Sequence, residues 1–348
     1  MFFFFFFFFF ARASSQTTSD AQLERYVCRF PPKISWLLFP PPPHTQFGTS
    51  SKLARNMPEQ AQRTKTALVT GASSGIGFEL CKELSARGFR VFGAARRLEP
   101  MESLREYGVT PLKADVSDLD SVLELKKKVI ELTDGKLDLL YNNAGQSCTV
   151  PALDVSDEWA LQCLQVNVLG PIRMTREFAP LLIAAQGIVV FTGSLAGICP
   201  FPWGSVYGAS KAAIHQYASV LHLELEPLGV KVLNVVTGGV DTNIADTRDL
   251  PKDSVYASPE MLEAFELRKK MAEKNKPMSP ATYSKKVVND ILSSRDPVHV
   301  YRGKMATFMG IVMYLVPTRV IEYAFRIKFK LNPAFDALRE KYSKRKVD

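Results

Sequence analysis

The chain has no Cys-x-x-Cys pair and no His/Cys cluster at metal-ligand spacing, so no metal site is expected. Its five cysteines, Cys28, Cys81, Cys148, Cys163 and Cys199, are odd in number and far apart. That pattern excludes a disulfide framework and points to reduced thiols in a cytosol-facing protein. No repeat recurs at a solenoid period. Acid is the scarcer charge, 35 Asp and Glu against 44 Lys and Arg, a net +9. The excess is uneven: residues 1–56 contribute +4, and basic residues are dense again from Lys328 to the end. A basic tail beside apolar sequence suits an anionic membrane surface better than nucleic acid, with a merely solvated tail as the alternative. The 46% hydrophobic content is ordinary for a chain with a real core, and 348 residues suffice for one large domain or two small ones.

Residues 1–56 offer no periodic apolar face. "MFFFFFFFFF" imitates the apolar part of a signal peptide ahead of Ala11-Arg12-Ala13, but no positive charge precedes it. The Ser/Thr/Gln-rich stretch and Pro40–Pro43 read as a disordered, low-complexity extension. Met57 opens "MPEQAQRTKTALVTGASSGIG", a short polar lead into a strand, and is the expected true start.

From Thr66 short apolar runs alternate with longer amphipathic ones. "TALVT", "FRVFGAA", "VTPLKADV", "LDLLYNNAG", "GIVVFTGS", "VKVLNVVTGG" and "PVHVYRG" read as seven strands. "GIGFELCKELSARG", "SVLELKKKVIELTDG" and "AIHQYASVLHLELEPLG" read as helices between them. The alternation predicts right-handed βαβ units in an α/β, doubly wound, mainly parallel seven-stranded sheet of Rossmann type, over residues 66–303. Residues 304–348 read as an apolar and then basic C-terminal segment.

"TGASSGIG" follows the first strand and opens the first helix. Gly71, Gly75 and Gly77 allow a tight turn, a close backbone approach and close helix packing, with Ser73, Ser74 and Ile76 between them. The helix N-terminus then faces a pyrophosphate. The second strand ends in Ala95, where a carboxylate would bind a ribose 2′-hydroxyl, and Arg96 and Arg97 follow. Two guanidiniums without an acid suit the 2′-phosphate of NADP(H); a pair of surface arginines is the bland alternative.

Tyr207 and Lys211 stand four apart, on one face of a helix, with Ser194 thirteen residues upstream. A nearby ammonium favours the phenolate and lowers a tyrosine pKa that is otherwise near ~10. Spacing alone is weak evidence, because Tyr342 and Lys346 repeat it in the basic tail with Phe329, not serine, thirteen residues before.

Together "TGASSGIG", "NNAG" (Asn142, Asn143, Ala144, Gly145), "VNVLG" with Asn167, Ser194, "YGASK" and "VTGGVDT" resemble the short-chain dehydrogenase/reductase family over about Thr66 to Gly303. The resemblance implies that Tyr207 exchanges a proton with the substrate oxygen and that Lys211 lowers its pKa and holds the nicotinamide ribose. It implies that Ser194 hydrogen-bonds the substrate oxygen and that Asn167, on the long helix after the fourth strand, holds a relay water. It gives Asp115 to the adenine, Asn143 to cofactor support, and Val240 and Thr242 to the nicotinamide carboxamide. Taken singly, Asn167 also reads as a surface amide, Asp115 as a cap near Ser117, and Thr242 as a turn residue. His215 and His222 read as core-edge or solvated residues and Tyr217 as packing. The family's usual Pro-Gly after the sixth strand is Gly238-Gly239 here, which puts the stiffness of that loop in doubt. The resemblance also implies dimers or tetramers without fixing the number.

The segment from Asp241 to Pro280 is long and Met-bearing, consistent with a lid over an apolar ligand. Met305–Pro317 is too short to span a bilayer as a helix; with its flanking Lys and Arg it reads as an interfacial element, or as a core helix or dimer surface. "VTGGVDTNIADTRDLPKDSVY" and this tail resemble the fungal branch of the family that reduces 1-acyldihydroxyacetone phosphate with NADPH. That resemblance implies glycerolipid and phosphatidic acid synthesis at the endoplasmic reticulum membrane or lipid droplet, on the cytosolic face. Arg248 and Lys252 are its candidate phosphate contacts. A retinol- or 17β-hydroxysteroid-type oxidoreductase is the alternative, and a non-catalytic NADP-binding scaffold the second.

Overall fold

The computed structural model describes residues 63–244, 248–271 and 276–343. The expectations for residues 1–56 and for Lys346 lie outside the described residues.

Seven strands form one wholly parallel sheet: β1 (Thr66–Thr70), β2 (Arg90–Ala95), β3 (Thr110–Lys113), β4 (Leu139–Asn142), β5 (Ile188–Thr192), β6 (Lys231–Thr237) and β7 (His299–Arg302). Their order is β3-β2-β1-β4-β5-β6-β7. Sheet growth reverses between β1 and β4, which opens a crevice at the C-terminal strand ends. The connecting helices are α1 (Gly75–Ala86), α2 (Leu119–Thr133), α3 (Asp157–Leu164), α4 (Gly170–Ala185), α5 (Ser205–Leu225), α6 (Pro259–Lys269) and α7 (Pro280–Ile291). Three more follow the sheet: α8 (Ala306–Leu315), α9 (Thr318–Lys328) and α10 (Leu331–Ser343).

Helices cover both faces, so every residue of "TALVT" is buried and the strand reads as one apolar run. Side-chain alternation divides it between two cores. Leu68 joins Phe92, Val122, Phe178 and Leu221 under α2, α4 and α5. Ala67 and Val69 join Leu80, Leu84, Tyr283 and Val287 under α1 and α7. The third strand is shorter than its apolar run, pairing only over Thr110–Lys113, because Asp115 accepts from the N–H and hydroxyl of Ser117 and turns the chain. The fifth helix begins at Ser205, which carries Tyr207 and Lys211 on it.

Among the described residues no helix is long and apolar enough to cross a membrane. Helices α8 and α9 bury Ala306, Met309, Val312, Ile321 and Phe325. They leave Tyr314 88%, Leu315 68%, Tyr323 56% and Ile327 52% exposed.

Candidate active site

Strand β5 ends at Thr192, and Gly193 and Ser194 turn the chain over α5. A Cβ at Gly193 would overlap Asn234 and His215. Ser194 is extended (φ −154°) and its Oγ accepts from the Ala196 N–H at 3.1 Å, capping a short turn. Its own N–H donates to His215 Nε2 at 3.1 Å. Tyr207 and Lys211 lie one turn apart on α5, with the Lys211 Nζ 5.8 Å from the Tyr207 ring centroid. The structure thus brings Ser194, Tyr207 and Lys211 together.

The charges differ from the spacing-based expectation. Burial pushes the Tyr207 phenol above its ordinary value; the groups opposing it are the hydrogen-bonded Ser194 and the Arg268 cation. Lys211 is 4% exposed, and its ammonium donates to the Thr192 carbonyl at 2.9 Å. Burial without a carboxylate brings its pKa down to about 8. Its charge is directed at a main-chain oxygen, and the phenol stays protonated at neutral pH.

Asn167 sits in a π turn, Gln165–Leu169, where α3 runs into α4. Pro171 has no N–H for the carbonyl four residues back, that of Asn167, so an ordinary α turn cannot close there. The Asn167 side chain is fully engaged: Oδ1 accepts from the Gln146 N–H at 2.9 Å, and Nδ2 donates to the Gln146 carbonyl at 2.9 Å and to Ser210 Oγ at 3.0 Å. Ser210 in turn donates to the Tyr207 carbonyl at 2.7 Å. Asn167 therefore fastens the end of the "NNAG" loop to the helix carrying Tyr207. A Cβ on Gly145 would stand 3.3 Å from Asn167 Oδ1 and 3.6 Å from Lys211 Nζ, so the loop passes directly over the lysine.

The glycine loop fits a dinucleotide phosphate. Gly71 (φ +67°) and Gly75 (φ +55°) are left-handed, and a Cβ on Gly71 would reach 2.8 Å from Ala144 Cα. Gly77 packs against the Gly71 carbonyl. Ser74 stands at the N-cap of α1, yet makes no side-chain cap, and no acid lies in the first turn. Helices α2, α3, α6 and α7 are each capped by a side chain. The first N–H groups of α1 are thus left for an anion. Ser73 is half-buried, and Ile76 packs onto the core. Asn143 Nδ2 donates to the Thr70 carbonyl at 3.0 Å and its Oδ1 accepts from Thr192 Oγ1 at 3.2 Å, tying the loop to β5. Thr242 faces this loop, its Cγ2 3.0 Å from a Cβ on Gly75, and Val240 bridges to Met278. Arg96 and Arg97 are exposed at the end of β2, and neither makes a hydrogen bond or ion pair among the described residues.

One expected cofactor residue is placed differently. The Asn142 side chain is buried under the sheet, donating to Thr175 Oγ1 at 3.3 Å, and does not reach the cleft. Even side chains on a strand alternate faces, and this one points to α4. One oxygen of Asp115 is held by Ser117. Gly238-Gly239 is not a loose loop: Gly238 donates its N–H to the Arg302 carbonyl at 2.8 Å, which proline could not do, and Gly239 and Lys304 exchange two bonds at 2.9 Å.

The segment after β6 covers the site. Ser254 Oγ donates to Asp154 at 2.6 Å, Arg248 lies 4.4 Å over the Trp159 ring, and Met261 and Phe265 of α6 are buried. Lys252 is exposed. Trp203 takes a left-handed backbone (φ +57°) and packs edge-on against Phe265 at 5.6 Å, strain of a kind found beside functional sites. Beneath α6 lies a cavity of about 430 Å³ lined by Pro151, Phe201, Trp203, Tyr256, Met261 and Phe335 among others. His215, Gln146, Ser210 and Arg268 were not singled out as site residues from the sequence. Ser210 alone carried a signal, lying inside "YGASK".

The sequence profile of the family described as short chain dehydrogenase matches residues 65–252. The chain is 53% identical over 287 residues to a Saccharomyces cerevisiae protein named NADPH-dependent 1-acyldihydroxyacetone phosphate reductase, covering 81% of this chain and 97% of that one. A Schizosaccharomyces pombe protein of the same name is 40% identical, covering 62% of this chain and 72% of that one. Among solved structures, an alcohol dehydrogenase from the archaeon Thermococcus sibiricus, complexed with 5-hydroxy-NADP, is similar with a TM-score of 0.56 and 26% identity, covering 68% of this chain and 94% of that one.

Proposed function

The chain belongs to the short chain dehydrogenase family, and on that premise we propose that it reduces the ketone of 1-acyldihydroxyacetone phosphate to 1-acylglycerol 3-phosphate with NADPH. The observation that carries this reading is the 53% identity, over nearly the whole of its length, to the yeast reductase of that name. NADPH, when bound, supplies the hydride that reaches the carbonyl carbon.

The chain's own residues supply the rest. Reduction needs an acid at the ketone oxygen, and a phenol whose pKa burial has raised holds its proton at neutral pH. Tyr207 gives that proton to the oxygen as the C=O bond becomes a C–OH. Ser194, capped and anchored through its own backbone, hydrogen-bonds the same oxygen as charge develops on it. Lys211 lies under the "NNAG" loop, where the ribose of the cofactor would run, and Asn167 keeps that loop in register with α5. The uncapped start of α1 would hold the pyrophosphate, and Arg96 and Arg97 the 2′-phosphate. The apolar cavity under α6 takes the acyl chain.

The enzyme works at a membrane surface, on this reading at the endoplasmic reticulum or lipid droplet, facing the cytosol. What supports it is the apolar strip of α8 and α9, Tyr314, Leu315, Tyr323 and Ile327, flanked by exposed Arg319 and Arg326.

The test follows loss of NADPH absorbance with acyldihydroxyacetone phosphate, a steroid ketone and retinal in parallel, with Tyr207→Phe as the blank. Turnover of the phospholipid precursor above the other two supports the proposal. Turnover of steroid or retinal alone refutes the substrate and keeps the chemistry.

A further inference from the structure

Arg268 is a half-buried cation with no acid partner among the described residues. It lies near the C-terminal end of α6, its guanidinium 5.4 Å over the Phe201 ring. Its Nε is buried and has no hydrogen-bond partner. Among the described residues it takes part in no ion pair, whereas its neighbours do: Lys269 pairs with Asp249 and Glu266, each at 3.0 Å, and Lys330 with Glu263 at 2.7 Å. Lys328 of α9 faces Arg268 and only repels it. Desolvation, with no acid against it among the described residues, brings the guanidinium down to about 10, and Lys328, exposed on α9, is lowered by desolvation and by the Arg268 charge. A buried Nε with no acceptor costs stability, and an anion arriving from outside would satisfy it.

The position of this cation selects the anion. Phe201, which carries the guanidinium on its face, lies in the loop between Ser194 and Tyr207. Arg268 is also close enough to Tyr207 for its charge to favour the phenolate. In the substrate proposed above, the phosphorus lies three single bonds of about 1.5 Å each from the ketone carbon. A ketone oxygen at Tyr207 therefore puts the phosphate within a few ångströms of that phenol, within reach of a cation beside Tyr207. Lys252 is exposed, and Arg248 is already stacked on Trp159 and bonded to the Ser147 carbonyl at 3.4 Å. Phe201 also lines the apolar cavity and is stacked on Phe325 at 5.1 Å.

We propose that Arg268, with Lys328 beside it, binds the phosphate of the substrate, so that Phe201 borders both an anion subsite and the acyl-chain cavity. The inference rests on the proposed function, and it replaces Arg248 and Lys252 as the phosphate contacts. It also gives the two ends of the substrate separate holds on one ketone. A phosphate on Arg268 neutralises the charge that draws on the phenol, so the acid is kept protonated when a phosphorylated ketone is in place.

The test uses the full chain as wild type, Arg268→Lys and Arg268→Met, each checked for fold by circular dichroism. The ratio of kcat/KM for acyldihydroxyacetone phosphate to that for its dephosphorylated counterpart is the readout. The ratio is expected to fall about 100-fold in Arg268→Met and less in Arg268→Lys, which keeps the charge but not the fork. An unchanged ratio, including equal losses on both ketones, overturns the proposal. If the wild type reduces neither ketone, the proposed function fails, and calorimetry of glycerol 3-phosphate binding to the NADP⁺-loaded protein decides the anion subsite alone. Binding weakened about tenfold or more in Arg268→Met sustains it; equal binding, or none to the wild type, overturns it.

Discussion

The main-chain N–H of Ser194 donates to Nε2 of His215 at 3.1 Å, which requires a neutral imidazole with its proton on Nδ1. Burial, with His299 and Lys211 nearby, brings the His215 pKa from 6.5 down to about 4. Between those values the unfolded chain binds a proton that the folded chain does not. The contribution of His215 is therefore complete above pH 6.5, falls as the pH drops toward 4, and is flat below. Urea unfolding from pH 7 to 4 is expected to show a loss in the wild type that exceeds the loss in His215→Gln by on the order of 2 kcal/mol. Both proteins share the titration of His299, so only their difference is diagnostic. Parallel curves would disprove the coupling.

Lys211 has the opposite balance between stability and function. Its buried ammonium meets one carbonyl and no carboxylate, and its pKa falls from 10.5 to about 8. Between those values the unfolded chain holds the proton, so stability rises with pH across that window. Lys211→Met is expected to be more stable than the wild type at pH 7 by about 1 kcal/mol, with the gap closing toward pH 10. Ketone reduction by the same variant is expected to fall by about 100-fold or more. A variant less stable at every pH would mean that the Thr192 contact outweighs the burial of the charge.

Arg96 and Arg97 are exposed at the end of β2 and pair with nothing among the described residues, so their removal should leave the fold untouched. The double variant Arg96→Ala/Arg97→Ala is expected to raise the KM for NADPH about tenfold or more and to narrow the preference over NADH by a similar factor. Its melting temperature should stay within about 2 °C of the wild type. Unchanged preference would move 2′-phosphate recognition elsewhere.

The fold was legible because its signals are local. Seven short apolar runs, punctuated by Gly71, Gly88 and Gly229, give the strand positions, and the all-parallel order follows from crossover connections. Ser194, Tyr207 and Lys211 were legible for the same reason, since two share a helix face. The groups that tune them were not. His215 looked like any helix histidine, because its partner Ser194 lies 21 residues away across a turn. Arg268 reaches the site only when α6 folds over it, from a segment whose composition signals a lid and nothing finer. Asn142 was assigned to the cleft with its neighbours because a motif does not say which strand face each residue takes. Lys211 was expected to act on the phenol; burial, which sequence does not reveal, turns its charge to Thr192 instead.

The strip made by Tyr314, Leu315, Tyr323 and Ile327 is exposed and apolar on two consecutive helices, with Arg319 and Arg326 exposed in the same segment. Neither helix can span a bilayer, so any contact with lipid is lateral. Burying a leucine or isoleucine side chain contributes about 1.5–3 kcal/mol, and each nearby arginine adds about 1 kcal/mol against anionic lipid. Leu315→Asp/Ile327→Asp is therefore expected to weaken binding to phosphatidylserine-containing vesicles by about 100-fold or more in cosedimentation. Added salt should weaken the wild type further through its arginines. Turnover of a soluble short-chain ketone should be unaffected, since both residues are exposed to solvent. Vesicle binding that survives the double substitution would reject the strip as a lipid contact. A fall in molecular mass by sedimentation equilibrium, with no vesicle binding in the wild type, would identify it instead as a surface between two copies of the chain.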